Sequence, residues 1–138
     1  MGRVLSIDYG KKRTGVAVTD PLQLIANGLT TVPTGELQAF LKAYVEKEPV
    51  EKIIVGYPRQ TNNQASENLE RVEAFVRSLK RAMPDMLVEY VDERFTSVLA
   101  HRAMIDGGMK KKARQNKALV DEISATIILQ DYLESRRM

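Results

Sequence analysis

Two runs rich in β-branched residues, separated by a basic turn, constrain this chain more than any other feature. Val4-Leu5-Ser6-Ile7-Asp8 and Thr14-Gly15-Val16-Ala17-Val18-Thr19-Asp20 flank Tyr9-Gly10-Lys11-Lys12-Arg13, which reads as two strands joined by a tight turn built on Gly10. Asp8 stands where the first strand ends. Its strand neighbours are apolar, and an ionised carboxylate is costly to bury there without a partner. Such a group can cap the turn through its own side chain, or it can bind a cation, accept backbone N–H bonds or pair with a base.

The rest of the chain alternates strand and helix. Leu24 to Val32 reads as a third strand in a meander, ended by Pro33, which cannot donate to a ladder. Thr34 is an expected N-cap for a helix carrying Leu37, Phe40, Leu41, Tyr44 and Val45 at helical spacing, stopped by Pro49. Lys52 to Pro58 is a nearly unbroken apolar run, the pattern of a strand covered on both faces. Ala65, Leu69, Val72, Val76, Leu79 and Met83 draw one apolar stripe down a long helix that Pro84 ends. Leu87 to Val91 is a further strand, delivering Asp92, Glu93 and Arg94 at its C-terminal end. A helix capped by Thr96 or Ser97 then runs to Gly107-Gly108, and a last helix extends to about Glu134. The order implies an α/β fold: a five-stranded mixed sheet, three antiparallel strands plus two parallel ones reached through helical crossovers.

With 138 residues the chain fits one domain, 1–138, large enough to bury a core. It has no cysteine, which excludes disulfides, thiolate zinc sites and a cysteine nucleophile. One histidine, His101, excludes a His-rich metal site and reads as an ordinary helix residue. No apolar run approaches a membrane span and no signal peptide is evident, so a cytoplasmic location without membrane association is expected.

Ligands collect outside the carboxyl ends of strands in crossover sheets. Asp8 and the Asp92-Glu93 pair are expected to meet at that edge. A further acid comes from the last helix: Asp121 lies four, seven and eleven residues before Ala125, Ile128 and Tyr132, at the head of a core-facing stripe, whereas Glu122 points about 100° away toward solvent. Singly, each acid reads equally well as an ordinary strand-end or helix-start residue. Together they would repel one another unless a cation neutralised them, and oxygen ligands of this kind suit Mg²⁺ or Mn²⁺. Net charge is only +3, but Gly107 to Lys117 holds Lys110, Lys111, Lys112, Arg114 and Lys117 with no acid. Cations beside a metal site can hold a phosphodiester backbone. Lys12, Arg13, Arg94, Lys112, Arg114 and Lys117 are the candidate nucleic-acid contacts.

Four stretches taken together resemble the YqgF/RuvX family of Holliday junction resolvases, also described as pre-16S rRNA nucleases. They are Ile7-Asp8-Tyr9-Gly10 with Lys12 to Asp20, Val55-Gly56-Tyr57-Pro58, Asp92 to Ser97, and Asp121 to Leu133. The resemblance covers essentially the whole chain and implies an RNase H-like fold with a divalent-metal nuclease site. It matches Asp8 to the first-strand acid, Asp92 and Glu93 to the Asp-Glu-Arg acids, and Asp121 to the last-helix acid. Expected metal ligands are Asp8, Asp121 and Glu93, with Asp92 the alternative to Glu93. Tyr57, Asn62-Asn63 and Ser124 depart from the family's usual Leu, Asp-Gly and Ala. The resemblance implies hydrolysis of pre-rRNA in ribosome biogenesis, with contact to ribosomal particles, or alternatively resolution of branched DNA. A nucleic-acid-binding assembly factor with weak catalysis stands as the rival class. A kinase-like ATPase ranks last, because no second glycine-rich loop follows. Both a monomer and a homodimer are compatible with the sequence.

Overall fold

The computed structural model describes residues 2–58, 63–93 and 116–137. Strands β1 (Arg3–Asp8), β2 (Arg13–Thr19) and β3 (Ala26–Pro33) form the meander. They are followed by a 3-10 turn at Thr34–Glu36, helix α1 (Leu37–Lys47), strand β4 (Val50–Pro58), helix α2 (Asn63–Ala82), strand β5 (Leu87–Glu93) and helix α3 (Lys117–Arg137). The sheet order is β3-β2-β1-β4-β5. β1 runs antiparallel to β2 and β2 to β3, while β4 is parallel to both β1 and β5. The expected helix after Thr96 and most of the basic segment lie outside the described residues.

Strand alternation splits the core into two layers. Leu5 and Ile7 of β1, Val16 and Val18 of β2, and Ile53 and Val55 of β4 pack with Leu37 and Leu41 of α1 and with Val72, Val76 and Leu79 of α2. The opposite face, with Val4, Ala17 and Ile54, is covered by Ala125, Ile128, Leu129, Tyr132 and Leu133 of α3. β1 and β4 are therefore apolar on both sides, as expected of central strands under helices.

Two local expectations are corrected. Thr34 does not cap a helix, and no side-chain cap opens either the 3-10 turn or α1. Its hydroxyl instead donates to the Gly10 carbonyl at 2.6 Å and shares a 3.0 Å hydrogen bond with Thr14. Glu122 does not project freely into solvent. Its side chain lies against Gly28 of β3, where an added Cβ would come within 2.6 Å of Oε1.

Candidate active site

Small residues let α3 approach the sheet closely. Ser6 Oγ donates to the Ala125 carbonyl at 2.6 Å, and Thr31 Oγ1 donates to the Ala118 carbonyl at 2.5 Å. Between these anchors Gly15 lies directly under the first turns of the helix, and a Cβ there would collide with the Asp121 carbonyl. Glycine inside a strand often marks such an approach of another backbone. Asp8 is the cross-strand partner of Gly15, and directly opposed residues of an antiparallel pair project from the same face. Asp8 and Asp121 thus share the α3 face at the same end of the sheet, although 113 positions separate them (121 minus 8). Asn116 starts the helix by accepting N–H bonds from Ala118 and Leu119 at 3.1 and 3.3 Å.

Asp121 is half-buried. Burial pushes its carboxyl above the ordinary aspartate range, while the hydrogen bond and charge of Arg13 and the charge of Lys117 pull it back. Arg13 Nε donates to Asp121 Oδ2 at 3.0 Å. Lys117 stands one turn before Asp121 on α3. The basic turn that carries Lys12 is tied down from the other side, because Thr34 N donates to the Lys12 carbonyl at 3.0 Å in addition to its hydroxyl bond to Gly10. Lys12 itself is exposed.

The acids of β5 arrive by register. Tyr57 pairs with Asp92 and Pro58 with Glu93, so the backbone of both acids stands one strand beyond the carboxyl end of β4, which separates them from β1. Among the described residues no three acids or histidines stand close enough to hold a metal ion. The described carboxylates at this edge are those of Asp8 and Asp121. Arg94, His101, Lys112 and Arg114 lie outside the described residues. Thr34 and Asn116 were missed by sequence reasoning as positioning residues. Asn116 carried a readable signal as an N-cap type ahead of the last helix, whereas nothing local distinguishes a Thr that caps from one that reaches back across a turn.

A family model described as "RuvX: Holliday junction resolvase" matches residues 2–135. The chain belongs to the RuvX family. A RuvX relative from Bacteroides thetaiotaomicron is 71% identical over 137 residues, covering 99% of each chain, and bears the name "Putative pre-16S rRNA nuclease". One from Phocaeicola vulgatus, with the same name, is 72% identical over the same span. Among solved structures, Thermus thermophilus RuvC in complex with a Holliday junction substrate aligns with a TM-score of 0.58 at 19% identity, covering 99% of this chain and 96% of that one. The fowlpox virus resolvase, solved with Holliday junction DNA, aligns with a TM-score of 0.56 at 11% identity and covers 99% of each chain. These two likenesses establish the RNase H-like, RuvC-like architecture of this RuvX chain. The donors its edge presents, carboxylate oxygens from two remote segments, one of them partly desolvated, are of the kind a hard divalent ion takes. No helix among the described residues is long and apolar enough to cross a membrane.

Proposed function

We propose that this chain is a divalent-metal-dependent nuclease that hydrolyses phosphodiester bonds in structured RNA, with the 5′ end of pre-16S rRNA as its substrate. The observation that supports this reading is the seating of the Asp121 backbone over Gly15, the cross-strand partner of Asp8. Relatives near 70% identity over the full length bear the corresponding name. Asp8, Asp121 and Glu93 are the residues that would hold Mg²⁺ or Mn²⁺. Asp92 is the alternative to Glu93 as the third ligand, since adjacent strand residues face opposite sides. When bound, a divalent ion supplies Lewis acidity that activates water and neutralises the leaving oxygen.

The chain's own contribution is to hold the strand and orient it. Arg13, Lys117 and Lys12 stand on or beside the acidic edge as contacts for the phosphate backbone, and Arg94, Lys112 and Arg114 extend that set. Phosphate contacts of this kind give salt-sensitive affinity without base identity. A four-way DNA junction is the second reading, favoured by the description of the family model. A cleavage assay on precursor rRNA and on four-way junctions, with Mg²⁺ or Mn²⁺, separates the two. Asp8→Asn is expected to abolish product on the true substrate; equal cleavage by wild type and variant would place the chemistry elsewhere. Salt-sensitive RNA binding without product under either metal would favour the assembly-factor class.

A further inference from the structure

The ion pair between Arg13 and Asp121 occupies one oxygen, Oδ2, of a carboxylate that the proposed site uses. Arg13 Nε lies 3.0 Å from Asp121 Oδ2, and the two side chains are 38% and 26% exposed, so the pair is open to solvent and to an incoming strand. A divalent ion on Asp121 would stand within a few ångströms of the guanidinium, and like charges at that range, partly shielded from water, repel strongly. The guanidinium's planar fork matches a phosphodiester as well as it matches a carboxylate. Arg13 opens β2, opposite Pro33 of β3, and follows the Lys12 carbonyl that Thr34 pins, so its side chain can swing while its backbone stays fixed.

Resting on the metal-site reading above, we propose that Arg13 is a positioning residue that acts as an exchangeable latch. It neutralises Asp121 in the metal-free protein, leaves it when the divalent ion arrives, and turns to the phosphate backbone of the bound strand. Metal loading and strand capture are then coupled through one side chain. An arginine that merely clamped Asp121 in its ligating pose would have the opposite signature, because its loss would weaken metal binding.

The experiment is Mn²⁺ titration of the free protein, followed by electron paramagnetic resonance, for wild type, Arg13→Gln and Arg13→Met. Both variants are expected to bind Mn²⁺ about two- to fivefold more tightly than wild type, the range set by removing a solvent-exposed competing ion pair. A second titration adds duplex RNA with phosphorothioate linkages. The tightening of Mn²⁺ binding caused by the duplex is expected to be larger in wild type than in either variant by the same factor, because only wild type has a latch to displace. Unchanged or weaker Mn²⁺ affinity in both variants, with an unchanged melting temperature, would overturn the latch while leaving the metal site standing. Asp8→Asn and Asp121→Asn serve as the arm for the parent reading: if neither alters Mn²⁺ binding, the metal site itself fails and the latch with it.

Discussion

Gly15→Ala is the substitution through which the geometry of this protein is most directly tested. An alanine Cβ at position 15 would collide with the carbonyl of Asp121 and stand 2.9 Å from the Glu122 amide nitrogen, against an ordinary separation of roughly 3.5 Å. The first turns of α3 must therefore lift by more than half an ångström. They cannot lift freely, because Ser6 holds Ala125 on one side and Thr31 holds Ala118 on the other. Overpacking of this kind costs about 1–3 kcal/mol. For a chain of 138 residues that is a fall in melting temperature of about 3–10 °C. The effect on catalysis is expected to be larger than the effect on stability. Asp121 is carried on the displaced turn while Asp8 stays in the sheet, and a misplacement near 1 Å typically costs about 10²-fold in rate. The assays are urea denaturation and cleavage of the preferred substrate at a temperature where the variant is fully folded. If Gly15→Ala keeps wild-type stability and wild-type turnover, the close approach of helix and strand is not what joins the two acids.

Two further outcomes follow from groups away from that contact. Ser124 is fully buried, and its hydroxyl finds no hydrogen-bond partner among the described residues, so Ser124→Ala is expected to stabilise the protein by about 1 kcal/mol in urea denaturation; a loss of stability would mean the hydroxyl is satisfied after all. At the far end of α3, Lys52 Nζ donates to Tyr132 Oη at 2.7 Å, and that bond, against the opposing pull of burial and with help from Glu89, raises the lysine above its ordinary pKa of 10.5. A raised pKa in the folded state contributes stability that is complete below the unfolded value and is lost as pH rises through the folded one. Tyr132→Phe should therefore cost about 1–2 kcal/mol near pH 8, and its deficit relative to wild type should shrink in strongly alkaline solution; a deficit independent of pH would assign the cost to packing alone.

The order of the described strands and helices was legible because it is written in local terms: alternating and continuous apolar runs, helical stripes such as Val72, Val76 and Leu79, and prolines at the element ends. Asp8 and Asp121 stand out in the sequence for the same reason, since each interrupts an apolar pattern. Thr34 was misread because a hydroxyl ahead of a helical stripe has the same local signature whether it caps the helix or, as here, bonds back to Gly10. Glu122 was misread because a helical wheel gives a direction but not what lies in that direction, and Gly28 of β3 happens to leave room for it.

Sequence alone determined the elements, their order and which acids break the apolar pattern. Tertiary structure decided that α3 settles on Gly15, that the Asp121 carboxylate meets an arginine 108 residues away, and that the basic turn is tied to Thr34. The division has one physical cause. Periodicity and turn chemistry act over a few neighbouring residues, whereas the meeting of a helix with a strand is set by how closely small side chains allow two backbones to approach, which no local window of sequence contains.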